Sequence, residues 1–238
     1  MNAQNVDENM CSITILSSKW SKVIAKVSCR DANIVVKVLR TSSSMEAQYI
    51  ADLISRIPSS RYVAKPICRA LSSALICVRR YLETTLDAWI NTEEASLPIL
   101  CKLLMDIVLG LKAIHSVGLI HCDIKPSNIG VDRRDTKILD LESLTPVYSK
   151  PREIDLNYAA PEYLSSGRVL RESDLYQLGL TIFECIDKLY RSDYSTINIY
   201  SSLHDLAQRL TDPNPFARPT HREILDVLAK IVDRYHYA

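Results

Sequence analysis

Between His121 and Asp140 the chain reads HCDIKPSNIGVDRRDTKILD. Asp123, Lys125 and Asn128 stand at offsets 0, 2 and 5, and Asp140 closes the stretch. Two chain reversals bring these four polar groups to one cleft. A carboxylate can receive a hydroxyl proton, and an ammonium can offset phosphate charge. An amide and a second carboxylate are hard oxygen ligands for magnesium. Phosphoryl transfer from a nucleoside triphosphate needs this set.

Such groups require a frame. Residues 12–40 alternate as strands do, in SITILSS, KVIAKVS and NIVVKVLR, with a turn at Asp31-Ala32-Asn33. A helix is predicted over residues 45–54, with Met45, Ile50, Leu53 and Ile54 on one apolar face. Pro58-Ser59-Ser60 ends it, and two short strands fit residues 64–70 and 74–79. The chain changes character after Leu86. Residues 97–116 read as one buried helix, with Pro98 in the first turn. Short strands fit residues 129–131 and 137–139, around the loop VDRRD, and most of the chain from Glu172 onward is helical.

The chain has 238 residues, of which 47% are hydrophobic and 24% charged, enough for one large domain or two small lobes with a real core. A formal charge of +1 predicts no broad nucleic-acid surface. The seven cysteines are odd in number and form no CxxC pair, so neither a zinc site nor a disulfide scaffold is signalled. Most of them read as small hydrophobes of a reducing compartment. The polar start MNAQNVDENM lacks signal-peptide features, and no apolar run reaches the roughly 20 residues of a membrane span. The expected location is intracellular and cytoplasmic; the nucleus, or delivery into a host cell, is also compatible with the sequence.

Five motifs in order carry a resemblance to the eukaryotic-type protein kinases. His121, Asp123, Lys125, Pro126 and Asn128 stand as in the family's H-R-D-x-K-x-x-N. Asp140 stands where Asp-Phe-Gly begins, and Ala160-Pro161-Glu162 matches Ala-Pro-Glu. Ser173-Asp174 with Gly179, and the late Arg218, complete the set. The resemblance implies an α+β, bilobal protein kinase-like fold over residues 12–238. It has a small β-rich N-lobe (12–80), a hinge region (81–86) and a larger helical C-lobe (87–238).

The resemblance also assigns roles. Asp123 and Lys125 are the catalytic pair, and Asn128 and Asp140 the metal ligands. Lys37 holds the α- and β-phosphates and pairs with Glu46. Backbone groups of Arg80 and Leu82 meet adenine, and the hydroxyls of Ser18 and Ser21 face phosphate. ATP with Mg2+ (or Mn2+) is the implied cofactor set, and a protein substrate or regulated protein partner the implied partner. Asp174 is expected to accept backbone N–H groups of the catalytic loop, His121 to brace it, and Glu162 to pair with Arg218.

The pattern also departs from the family. Leu16, Ser18 and Ser21 occupy the three glycine positions of the phosphate-covering hairpin, and no glycine precedes Gly110. Glu142 replaces the glycine of Asp-Phe-Gly, Cys122 replaces the arginine of His-Arg-Asp, and Asp155 stands where Ser/Thr-specific members carry a threonine. Arg79 lies at the residue guarding the back pocket. Glu142 either faces solvent or adds charge near the metal. Two readings stay open: an active, divergent serine/threonine kinase, or a pseudokinase that acts as scaffold, decoy or allosteric regulator. Aromatic packing is the preferred account of Tyr190, Tyr194, Tyr200 and Tyr235-His236-Tyr237, with partner binding the other.

Overall fold

The computed structural model describes residues 11–30, 32–132, 135–190 and 196–236. The polar start, Asp31, Arg133-Arg134, Tyr194 and Tyr237 lie outside the described residues, as do the side chains of Tyr235 and His236. The fold is α+β and bilobal, with two units. The smaller takes in residues 1–55 and 65–81, and the larger residues 56–64 and 82–238.

The smaller unit is one antiparallel sheet of β1 (Ser12–Lys19), β2 (Lys22–Ser28), β3 (Asn33–Arg40), β4 (Ile67–Ala70) and β5 (Ala74–Arg80), in the order β1-β2-β3-β5-β4. Alternation sets its faces. Val35, Lys37 and Leu39 are buried along β3, while Ile34, Val36 and Val38 are only half-buried. The β1–β2 hairpin pairs as far as Lys19 opposite Lys22, leaving Trp20-Ser21 as the turn, and neither adopts a positive φ. The glycine-free sequence is thus met by a turn that needs no left-handed residue.

Helix α1 (Ser44–Arg56) follows β3. Ser43 Oγ accepts the Glu46 N–H at 3.1 Å, a side-chain cap at the helix start. The buried face is Ala47, Ile50, Leu53 and Ile54; Met45, expected on it, is 82% exposed in the first turn. Strand β4 begins at Ile67 rather than Ala64, because the Ala64 N–H donates to Ile138 O and Pro66 has no N–H to offer.

Two disulfides, Cys11–Cys29 and Cys68–Cys77, correct the expectation of free thiols in this unit. Cys68 and Cys77 are direct cross-strand partners, and Cys11 and Cys29 extend the ladder one step beyond Ser12 and Ser28. Antiparallel pairing places opposed Cβ atoms at bonding reach. Cys101, Cys122 and Cys185 are free and buried. Thiol titration of the intact chain in denaturant without reductant is expected to count three of the seven cysteines; seven would refute the bridges.

The larger unit is built round α3 (Leu97–His115), whose Leu100, Leu103, Leu104, Ile107, Leu111 and Ile114 are almost wholly buried. It packs against α5 (Arg171–Tyr190), α6 (Ile197–Leu210) and α7 (His221–His236), after the short α2 (Leu86–Trp89) and α4 (Pro161–Ser166). Two small ladders hold the loops: β6 (Thr84–Thr85) with β8 (Ile129–Asp132) and β9 (Asp135–Ile138), and β7 (Leu119–Ile120) with β10 (Thr145–Pro146). Residues 62–64 join this unit through Ile138, which donates its N–H to Tyr62 O. Tyr190 stacks on Tyr200 at 4.3 Å, which is aromatic packing. No helix among the described residues is long and apolar enough to cross a membrane.

Candidate active site

In the larger unit the loop of residues 121–128 hangs from one face of α5. Asp174 is fully buried and receives three donors: the N–H groups of His121 and Cys122, and His115 Nε2, each at 2.8 Å. Burial alone would raise its pKa, but the bond and charge of His115, with the His121 N–H, hold it below the ordinary value. One turn on, Gln177 accepts from Ile124 N–H at 2.9 Å and donates to Cys122 O at 3.0 Å. Cys122 takes φ 69° there, a costly conformation for a residue with Cβ, held by these four bonds to its own and neighbouring peptides. Asp174 was legible from the motif. Gln177 was missed, and its helical spacing from Asp174 is the signal that finds it.

His121 has both ring nitrogens occupied. Nε2 meets Leu139 O at 2.7 Å and so donates, which leaves Nδ1 to accept the Asp123 N–H at 3.2 Å. It braces the loop and keeps no ring nitrogen for proton transfer. His115 also meets His221 of α7, Nδ1 to Nε2 at 3.0 Å. Burial, then the charge of His115, pushes His221 down to about 4.

Asp123, Lys125 and Asn128 converge. Asn128 Nδ2 donates to both Asp123 O (2.9 Å) and Asp123 Oδ2 (2.6 Å). Lys125 Nζ lies 2.9 Å from Asp123 Oδ1 and 3.2 Å from Asp155 Oδ2. The first contact is close enough for an ion pair but lacks hydrogen-bond alignment, so Oδ1 is a buried acceptor without an aligned donor. Burial lowers the Lys125 pKa, but the contact and charge of Asp123, then the bond and charge of Asp155, outweigh it and raise the value. Asp155 therefore does not face away from Asp123; the shared ammonium relieves the repulsion between them.

Leu139 N–H donates to Asn128 O at 2.9 Å, which brings the chain before Asp140 to the loop. Asp140 is left-handed, with φ 54° and ψ 57°, a conformation aspartate tolerates better than most residues. Leu141 and Glu142 are both buried in the short 3-10 turn that follows, so Glu142 does not point to solvent.

Cys122, at the arginine position of His-Arg-Asp, packs with Ile120 and Val169, and Val147 and Tyr163 lie against them. The segment after Asp140 is tied further by pairing of β10 with β7 and by the Tyr148 N–H to Val169 O at 2.8 Å. Arg218 forms a bidentate pair with Glu162, with both contacts at 2.8 Å, and Ser173 Oγ donates to the same carboxylate at 2.7 Å.

In the smaller unit Lys37 is buried on β3, with Ile24 and Cys77 as its cross-strand neighbours. Glu46 Oε2 accepts the Ser42 N–H (2.6 Å) and Oγ–H (2.7 Å) at the start of α1. Ser18 and Ser21 are exposed at the hairpin end. Arg80 is exposed opposite Ile34, and Arg79 Nη1 reaches Arg80 O at 3.1 Å. Leu82, in the larger unit, is buried where its side chain lies over Gly130.

Residues 17–232 match the family described as protein kinase domain, and the chain belongs to that family. It is 32% identical over 165 residues to the serine/threonine-protein kinase/endoribonuclease IRE1 of Oryza sativa subsp. japonica, covering 58% of this chain and 18% of that protein. Identity is 32% over 168 residues to the interferon-induced, double-stranded RNA-activated protein kinase of Mus musculus, covering 61% of this chain and 33% of that protein. Wee1-like protein kinase 2 of Danio rerio is 31% identical over 178 residues, covering 58% and 34%. The chain thus spans about a third or less of the length of these relatives.

Proposed function

We propose that the chain transfers the γ-phosphoryl group of ATP to a serine or threonine hydroxyl of a protein. The environment of Asp123 carries this reading. Its Oδ2 is fixed by Asn128, while Oδ1 has no aligned donor and sits beside an ammonium. A hydroxyl donating to Oδ1 is oriented for attack. Its oxygen bonds the γ-phosphorus, the bond from that phosphorus to the β–γ bridging oxygen breaks, ADP leaves, and the proton passes to Asp123. Lys125 offsets charge on the transferring group.

Magnesium fits the residues available. Asn128 gives its amide protons to Asp123, leaving its carbonyl oxygen, and Asp140 adds a carboxylate. Among the described residues no group of three or more His, Cys, Asp or Glu could hold a metal, but magnesium takes few protein ligands and keeps water and phosphate oxygens. When bound it supplies neutralisation of phosphate charge. On this reading Lys37, paired with Glu46, holds the α- and β-phosphates, Ser18 and Ser21 donate to phosphate, and the backbone of Arg80 and Leu82 meets adenine.

One observation favours a second reading, a partner-binding pseudokinase: the hairpin that would cover phosphate turns through Trp20-Ser21 without glycine. Labelled ATP with Mg or Mn, offered with a broad protein panel, separates the readings. Asp123-dependent labelling of serine or threonine supports transfer. No labelling, with no metal-dependent ATP binding by calorimetry, supports the scaffold.

A further inference from the structure

We propose that the face of the five-stranded sheet turned away from Lys37 docks an acidic amphipathic helix of a partner protein. Residues paired across antiparallel strands point to the same side, so the register assigns the two faces. Val35, Lys37 and Leu39 belong to the buried one. On the other, one row crosses all five strands as Ile15, Ala25, Val36, Val78 and Ile67. The adjoining rows continue it with Val27 and Ile34 on one side and Val23, Val38 and Ile76 on the other. None of these side chains is buried, and Ile15 and Ile67 are 58% and 83% exposed. A contiguous apolar sheet face of this kind is stabilised by a second layer laid on it. Lys37 lies on the opposite side, so the surface stands apart from the phosphate-handling residues proposed above and does not depend on them.

Charge selects the occupant. The apolar rows end in exposed cations: Arg80 opposite Ile34, Arg69 opposite Ile76, and Arg40 opposite Ala74. Arg40 also lies over the Trp20 ring at 4.5 Å, so the exposed indole extends this border. The five strands hold eight Lys or Arg and no Asp or Glu. A second copy would therefore set cation against cation, with no carboxylate on either face to answer it. An anionic membrane answers the charge, but the rows are a floor of Val, Ile and Ala without the projecting Trp, Phe or Leu that anchors among acyl chains. A helix with an apolar stripe flanked by Asp or Glu meets both demands, the stripe on the floor and the carboxylates at the three arginines. Length agrees: the eight residues of β3 run about 27 Å, which a helix of about 18 residues covers.

The probes are fluorescently labelled model helices of about 18 residues with leucine at i, i+3, i+4 and i+7. One set carries glutamate on the flanks of the stripe, the other lysine. Fluorescence anisotropy with the full chain reads Kd. The glutamate helices are expected to bind about tenfold or more tighter than the lysine helices. Arg69→Glu/Arg80→Glu should reverse that preference, and Ile15→Ser/Ile67→Ser should weaken the glutamate helices about tenfold or more. All four positions are exposed, and a thermal melt near wild type checks that each variant folds. Equal binding of the two sets, no binding of either, or binding that neither variant changes overturns the proposal. So does a dimer in sedimentation velocity that Ile15→Ser/Ile67→Ser dissociates, which would make a second copy the occupant. Co-sedimentation with phosphatidylserine and phosphatidylcholine vesicles, lost in that variant, would make the face a lipid surface instead. Glutamate helices that bind only after residues 1–10 are removed would make that segment the occupant.

Discussion

Asp123→Asn is expected to lower phosphoryl transfer by about 10²–10⁴-fold, the range for removing a positioned proton acceptor. The substitution is nearly isosteric. The amide oxygen can still accept from Asn128 Nδ2, now at 2.6 Å from Oδ2, and the backbone bond from Asn128 to residue 123 O is untouched. What is lost is the negative charge beside Lys125 and the capacity to take a proton. The loop is held by Asp174 and Gln177 through its peptides, so the fold should survive. Circular dichroism and a thermal melt close to wild type, with transfer lowered to that extent, are the expected pair of results. Transfer at the wild-type rate in the variant would remove Asp123 from the chemistry.

Arg218→Ala is expected to destabilise the larger unit by about 3–5 kcal/mol, the cost of leaving a buried charge without its partner. The Arg218 side chain is fully buried; it binds Glu162 through two nitrogens and also donates to Asp212 O at 2.9 Å and Glu172 O at 2.7 Å. Removing it leaves the Glu162 carboxylate with Ser173 but without its counter-charge, and takes a donor from two main-chain carbonyls. Urea unfolding of wild type and variant measures the difference, and a loss below about 1 kcal/mol would mean the pair contributes little. The pH dependence has a definite sign. Burial raises the Glu162 pKa, but Arg218, then Ser173, outweigh it and hold the value below the ordinary 4.5. The stabilisation is present above about 4.5 and lost as pH falls through the lower folded value. That acid-side slope should flatten in Arg218→Ala.

Strands β1, β2, β3 and β5 were legible almost to the residue, and β4 was not; β2 and β3 are rich in β-branched residues and alternate cleanly. The disulfides were not legible. Cys68 and Cys77 are equidistant from their hairpin turn, a signal visible once β4 and β5 are paired. For Cys11 and Cys29 the irregularity between Ile15 and Ser17 shifts the β1–β2 register by one residue, and counting outward from Trp20-Ser21 misses the partner. Met45 failed because position in the helix overruled its apolarity; the first turn leaves it open to solvent.

At the candidate site, residue types and spacing located Asp123, Lys125 and Asn128, since one loop carries them all. The partners that tune them come from elsewhere in the chain. Asp155 reaches Lys125 across 30 residues, and Gln177 reaches Ile124 across 53. Such contacts depend on how a segment folds back, which local pattern does not encode. For Asp155 the sequence carried only like charge near Asp123, and the lysine that reconciles the two carboxylates appears in space.

The two bridges of the smaller unit tie each outermost strand to its inner neighbour, β1 to β2 and β4 to β5. A chain denatured with these bonds intact keeps a covalent memory of its hairpins. A slip of one residue would turn a strand inside out, and at these two pairings the slipped alignments are chemically forbidden. Only the joins of β3 with β2 and with β5 must be found again from noncovalent contacts. Reduction erases that memory, so the same sequence returning from denaturant faces a larger search when its thiols are free.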